Sequence, residues 1–282
     1  MFNDFISMLT PEFLSYILIP ALIGGIAVTL CSALLGVSLV LKRYSMIGDG
    51  LSHVGYGALS VAAVMNIAPL KFALPVVIAA AFLLLRMNGS SKLKGDSAIA
   101  VFSTTALAVG ILVSSKSGLT NDVSHYMFGS ILAMDHDDVI LSVVLSVLVL
   151  AMFILFYNKI FAVTFDENFS RATGIKVDFY KMLIALLTAV TVVLGMMMMG
   201  ALLISSLIIF PAITSMRVFK SFKGVVISSA IVSVLSFLIG FFISLLLDTA
   251  PGASVVVVNV IIFALFSACL LYTSDAADDL TR

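Results

Sequence analysis

Nine apolar runs divide this chain, at about 16–41, 47–66, 69–86, 98–115, 138–157, 179–199, 201–216, 224–247 and 254–272. Crossing a hydrocarbon core takes about 20 apolar residues per helix. Lipid offers no partner for a backbone N–H or C=O, so a crossing segment has to satisfy its own polar groups, which an α-helix does. The runs therefore predict an all-α, polytopic transmembrane bundle of about nine spans, or eight if one run does not cross. The 201–216 run is short, and reads as a broken or re-entrant segment packed against protein. Pro211 inside it is expected to break or kink the helix.

Composition closes off the other classes. The chain is 62% hydrophobic and 11% charged, against about 45–50% and about 25% in soluble domains. No soluble domain interrupts the runs, so residues 1–271 form one membrane domain. Net charge is zero and no basic stripe is present, which argues against nucleic acid as a partner. The N-terminus lacks the positive n-region of a secretory signal. Cys31 and Cys269 sit in apolar runs and read as buried, inert thiols. No internal repeat is visible.

Lys and Arg cluster in alternate loops: Lys42 and Arg43; Arg86, Lys92 and Lys94; Lys159, Arg171, Lys176 and Lys181; Arg217, Lys220 and Lys223. The opposite loops carry only Lys71 and Lys116. The basic set is expected to be cytoplasmic. With nine spans the N-terminus lies outside and the C-terminus inside.

One run carries charge where lipid tolerates it poorly. In MIGDGLSHVGYGALSVA, Met46 to Ala62, helical spacing sets Asp49, Ser52, His53, Tyr56 and Ser60 on one stripe. An Asp at a membrane-helix centre costs about 2.5–3.5 kcal/mol, so it faces a cavity or a partner. Carboxylate and imidazole at i and i+4 can reach one ion, and this donor pair suits Zn²⁺, Mn²⁺ or Fe²⁺. Two ligands do not close a site; a symmetric dimer would bring four to its axis. Two other readings stay open. Asp49 caps its helix and His53 makes an interhelical hydrogen bond, or the pair relays protons.

The stretch TFDENFSRATGIKVD, Thr164 to Asp178, reads as a stubby amphipathic helix in the longest cytoplasmic loop. Thr164 and Glu167 have the spacing of a capping box. Asp166 and Glu167 suit a helix N-terminus, and Gly174 suits a C-terminal stop. Phe165, Phe169 and Ala172 form a narrow apolar face. Charges of both signs (Asp166, Glu167, Arg171) suit a protein partner better than anionic lipid. The pattern G-x-x-x-x-G-K-[ST] occurs nowhere in the chain. This chain is therefore not expected to be an enzyme, and ATP, if it drives the protein, is hydrolysed on a separate subunit.

Taken in order, SMIGDGLSHVGYGALSVA, HYMFGSILAM, TFDENFSRATGI, GALLISSLIIFPAITSMRV and PGASVVVVNVIIFAL resemble the permease subunits of the manganese/zinc/iron-type family of ATP-binding-cassette importers. The resemblance runs to about Leu271. It implies a homodimeric permease in the bacterial cytoplasmic (inner) membrane. Its partners would be cytoplasmic ATP-binding subunits and an extracytoplasmic metal-binding protein. It places Asp49 and His53 in the translocation path, lined further by Ser52, Tyr56 and Ser60. It makes 164–175 the coupling helix, with Phe165, Asp166, Glu167, Phe169, Arg171 and Gly174 at the ATPase. Gly50 stands where the family's Asp-Ala-(Leu/Ile)-Ser-His string has alanine, and the Asp/His spacing is kept. No permanently bound cofactor is implied, only a transported divalent metal ion. A secondary transporter using Asp49 and His53 as a proton relay is the rival from another class. A siderophore- or vitamin-type permease is a third, disfavoured by the Asp/His pair.

Other polar features are weaker. Asp122, His125, Asp135, His136, Asp137 and Asp138 read as a solvated outer loop with a helix cap, and FGSILAM as a contact for the binding protein by resemblance alone. Met196 to Met199 point around their helix, which suits adaptable packing rather than copper. Asp248 beside Pro251 and Gly252 reads as a turn. The polar tail 272–282, YTSDAADDLTR, resembles nothing in the family and reads as disordered or extraneous.

Overall fold

The computed structural model describes residues 18–90, 95–118, 127 and 136–280. Among these residues it holds eleven helices and no strand. They are α1 (Ile19–Leu41), α2 (Ile47–Val64), α3 (Pro69–Ser90), α4 (Gly95–Ser117), α5 (His136–Leu155), α6 (Tyr157–Phe165), α7 (Glu167–Ala172), α8 (Val177–Met199), α9 (Ala201–Val218), α10 (Phe222–Leu247) and α11 (Pro251–Leu280). Every apolar run of the sequence falls on a helix. Six of these (α1, α4, α8, α9, α10 and α11) are long and apolar enough on their own to cross a membrane. The stretches Val139–Leu155 and Tyr157–Phe165, bent by 68°, make a seventh if they are one span. The apolar part of α3, Pro69–Leu85, is shorter. The polar stripe of α2 keeps that helix outside the set.

The most buried helix, α8, packs on α1, α2, α3 and α9. On one flank α2 lies between α3 and α4; on the other α9, α10 and α11 pack together, and α1 bridges to α5. Without a hydrophobic drive between helices in lipid, close approach through small residues does much of the holding. At the α2–α4 crossing, a Cβ on Gly57 would sit 2.6 Å from the Ala106 carbonyl oxygen, and one on Gly110 would sit 2.9 Å from the Gly57 Cα. The methionine run fills holes of the same kind. The tips of Met196, Met198 and Met199 pack over Gly55, Gly24 and Gly25 respectively, and all three are fully buried. This is adaptable packing, pointed three ways.

The tight connections have local causes. Gly200 joins α8 to α9 in a single residue at φ 92° and ψ 154°, backbone that only glycine adopts freely. Asp248 ends α10 in the left-handed region, at φ 51°. Two expectations are corrected. The break expected at Pro211 is not found: α9 is continuous through it, since protein neighbours tolerate the freed carbonyl. Cys31 is buried, but Cys269 is exposed, because α11 lies at the periphery. The backbone of α11 continues through the polar tail as far as Leu280. Asp122, His125, Asp135 and FGSILAM lie outside the described residues, and α5 begins at His136.

Three of the basic connections meet at one end of the bundle. Glu167 pairs with Lys42 and Lys181, joining the α1–α2 turn to the α7–α8 segment. The Phe222 ring packs on Tyr157, Phe161 and Phe165, bringing the start of α10 there too.

Gly57→Ala is expected to lower the unfolding temperature of the detergent-solubilised protein, since overpacking against backbone costs about 1–3 kcal/mol. Gly48→Ala on the same helix meets only the Ile208 Cδ1 tip, at 2.7 Å, and is expected to change it little. Thermal unfolding of the pair checks this.

Candidate functional site

Helix α1 ends in a hydrogen-bonded reversal. The Arg43 N–H donates to Val40 O at 3.0 Å and the Tyr44 N–H to Leu39 O at 2.8 Å, with Arg43 at φ 60°. This is the double bond of a Schellman closure, with arginine in the position that favours glycine. It delivers the chain into α2 within a few residues, and Asp49 falls in the first turn of that helix. A carboxylate there is favoured by the helix dipole. Asp49 is not the cap: Met46 holds that position and makes no side-chain cap bond.

The Asp49 carboxylate turns instead toward two side chains. His53 Nε2 lies 3.6 Å from Asp49 Oδ2, and the Ser205 hydroxyl donates to Asp49 Oδ1 at 3.3 Å. The first distance is too long for a hydrogen bond. Asp49 and His53 retain side-chain exposures of 41% and 23%, so the pair lies on an accessible surface of the chain. His53 Nδ1 is buried and has no hydrogen-bond partner among the described residues, which leaves Nε2 as the atom that faces the carboxylate.

The rest of the stripe is packed away. The Ser52 hydroxyl donates to the Asp49 carbonyl at 2.7 Å, and Ser60 to the Tyr56 carbonyl at 2.8 Å. Ser52, Tyr56 and Ser60 are all buried, and the last two lie against Gly110 of α4. Ser205 was not singled out by sequence reasoning. It comes from α9, 156 residues from Asp49, and its only signal is a serine pair, Ser205-Ser206, in an apolar run. Ser206 accepts from buried Asn259 Nδ2 at 3.4 Å. Polar contacts thus lead from α2 to α9 and from α9 to α11. Among the described residues no group of three or more His, Cys, Asp or Glu converges.

The second candidate, the loop helix, starts later than its sequence suggests. Asp166 is the cap, with extended backbone, and its carboxylate accepts from the Phe169 N–H at 2.9 Å. Thr164 is the penultimate residue of α6, and its hydroxyl donates back to Ile160 O at 2.7 Å. The expected Thr164/Glu167 capping box is therefore absent. Glu167 is drawn off by Lys42 Nζ, at 3.0 Å, and by Lys181 Nζ. A charge-assisted pair outcompetes a single backbone N–H.

Burial alone would raise the Glu167 carboxyl, but hydrogen bonds from Lys181 and Lys42 and their charges outweigh it, and the net shift is downward. Burial pushes Lys42 down, and Glu167 only partly opposes it. Glu167 is the ionised centre of the trio, and two cations share it.

Gly174, at φ 79°, ends α7 as expected: its N–H donates to Arg171 O and that of Ile175 to Ser170 O. Arg171 pairs with Asp178 at 2.8 Å on the surface, a contact worth little. Phe165 closes α6 and Phe169 lies on α7, and they are 60% and 64% exposed; the apolar face expected on one helix is split across the α6–α7 corner.

Residues 15–270 match the ABC 3 transport family, and the chain belongs to it. Among its relatives is the "Manganese import system permease protein ScaB" of Streptococcus gordonii, 29% identical over 86% of this chain and 87% of that one. The "High-affinity zinc uptake system membrane protein ZnuB" of Haemophilus influenzae is 29% identical over 88% of this chain and 96% of its own length. A "Probable metal transport system membrane protein" of Thermotoga maritima is 31% identical over 86% of each chain. The structure of PsaBC from Streptococcus pneumoniae in complex with Fab superposes with a TM-score of 0.82 at 27% identity, covering 94% of this chain and 95% of that one.

Asp166→Ala removes the cap of a six-residue helix, at an expected cost of about 1 kcal/mol. Faster amide exchange across 167–173, with the membrane helices unchanged, is the result to look for. The Glu167 pairing also has a pH sign. Its folded value lies below its ordinary one, so its stabilisation is complete above the ordinary carboxylate range and is lost as pH falls through the lowered value. Protection of the same segment is expected to fall at acid pH in the wild type and to respond less in Glu167→Gln.

Proposed function

We propose that this chain is the membrane permease subunit of an ATP-driven importer that moves a divalent transition metal across the bacterial cytoplasmic membrane. Membership of the family and the names of its relatives support the class. The observation that carries the site is the 3.6 Å between His53 Nε2 and Asp49 Oδ2. Two ligands about 2.1 Å from one tetrahedral ion lie about 3.4 Å apart. The pair therefore needs almost no movement to share an ion, and Ser205 holds the carboxylate's other oxygen. Two protein ligands make a weak, incomplete site, which suits a conduit, because passage requires release as well as capture. A second copy of the permease, across a two-fold axis, would supply the facing pair.

In this reading all nine helical runs cross or enter the membrane, with α2 and α3 sheltered by their neighbours and the basic end cytoplasmic. The N-terminus is then outside. The end of α6 and helix α7 dock on the ATP-binding subunit through Phe165 and Phe169, with Asp166 and Gly174 setting the two ends of α7 and Arg171 on its charged side. A metal-binding protein delivers the ion from outside. ATP-driven closure moves α7, and alternating access carries the ion past Asp49 and His53. Ser52, Tyr56 and Ser60 join the lining only when α2 and α4 shift. Zinc, manganese and iron all accept one oxygen and one nitrogen donor. A manganese permease and a zinc permease are equally similar to this chain, at 29% identity each, so selectivity is assigned to the delivery protein. The proton-relay alternative has no support from the family.

Cells expressing the permease with its ATP-binding subunit and metal-binding protein are expected to accumulate one metal, measured by elemental analysis. Asp49→Ala and His53→Ala, at equal membrane expression, abolish that uptake. Ser205→Ala lowers it by about tenfold, the scale of losing an outer contact to a ligand. Wild-type uptake in both Asp49→Ala and His53→Ala would make the pair structural and overturn the proposal.

A further inference from the structure

We infer that Glu167, clamped between Lys42 and Lys181, is the positioning residue through which movement of α7 reaches the helix that bears Asp49 and His53. The inference rests on the permease reading above and adds the route by which that site is driven.

Three observations carry it. First, α7 is six residues long, too short to hold its shape or place without tertiary support. Its outward residues Phe169, Arg171 and Ala172 are exposed, so the inward-facing contacts have to fix it to the bundle. The Glu167 carboxylate is the ionic one, with one oxygen on Lys42 and the other on Lys181.

Second, the Lys42 ammonium is not a loose surface group. Its side chain is 7% exposed, and Lys42 is the cap residue of α1. It sits inside the hydrogen-bonded reversal built by Arg43 and Tyr44, and Ile47 N–H closes onto Tyr44 O at 3.0 Å. No slack is left between Lys42 and the first turn of α2, where Asp49 lies. A displacement of Lys42 is passed on as a displacement of α2.

Third, the second tether goes elsewhere. Lys181 belongs to α8, the most buried helix, which packs on α1, α2, α3 and α9. One carboxylate therefore links α7 to the α1–α2 turn through Lys42 and to the most buried helix through Lys181. The Lys42 ammonium is the buried member of the trio, while Glu167 keeps 37% exposure, so cutting the Lys42 link leaves Glu167 paired to Lys181 alone.

Lys42→Met tests this, because it keeps the buried stem and cuts only the link to α2. Lys181→Met cuts the other link. The whole importer, with its ATP-binding subunits and metal-binding protein, is reconstituted in liposomes. Three quantities are read: ATP-binding subunit retained per permease, ATP hydrolysed, and metal delivered per ATP. Lys42→Met is expected to keep the subunit and the hydrolysis rate while metal delivered per ATP falls by about tenfold, the scale of a broken coupling contact. Restoring the cation with Lys42→Arg is expected to recover most of the delivery. Unchanged delivery per ATP in Lys42→Met overturns the inference. So does joint loss of the subunit and of hydrolysis in both methionine variants, which would make the trio a fold support for α7. If the wild type itself moves metal without ATP, the permease reading fails first, and its loss is visible before any variant is compared.

Discussion

A bilayer offers no hydrogen-bond partners, and that constraint governs how the polar groups of the spans are placed. Backbone groups are satisfied within helices, and most serine and threonine hydroxyls in the spans fold back onto a carbonyl one turn earlier, as Ser60, Thr188 and Thr191 do. Asp49 has partners of both kinds: His53 one turn along its own helix, 3.6 Å away, and Ser205 of α9, which donates to its Oδ1. The close contact of α2 with α4 at Gly57 and Gly110 then fixes the other side of the same helix. The helix with the most awkward sequence is also among the most tightly gripped.

The two ends of the proposed mechanism differ in how they are held. At Asp49 and His53 geometry is loose: 3.6 Å separates nitrogen from oxygen, and both side chains keep exposure. At α7 it is tight, with a cap, a left-handed stop, a ring cluster and a doubly paired carboxylate around six residues. That contrast suits a device in which force enters through a rigid part and cargo passes a yielding one. The hydrogen-bonded reversal at Arg43 lies between them.

Much of the fold was legible because its signals are periodic and local. Nine apolar runs gave nine helical positions, and the i, i+4 spacing of Asp49 and His53 put both on one face whatever the tertiary structure did. Gly174 marked a helix end for the same reason: the left-handed backbone it adopts is a property of one residue. The misreadings came where a local rule met a distant competitor. Thr164 and Glu167 have capping-box spacing, but Lys42, 125 residues from Glu167, offered the carboxylate a full charge. Pro211 has the chemistry of a helix breaker, yet α9 continues through it, as membrane helices can where neighbouring protein tolerates the freed carbonyl.

The sequence by itself determined that the chain is a helical membrane bundle, that an acid and a histidine share one helix face, and that a short amphipathic helix interrupts a loop. Those follow from hydrophobicity, periodicity and backbone preference, which act over a few residues. Only the tertiary structure decided that Ser205 holds Asp49, that Ser52, Tyr56 and Ser60 are packed away, and that Glu167 joins the loop helix to the turn before α2. Those contacts link residues far apart in the chain, and which of several polar partners a buried charge takes is set by where packing brings the helices together.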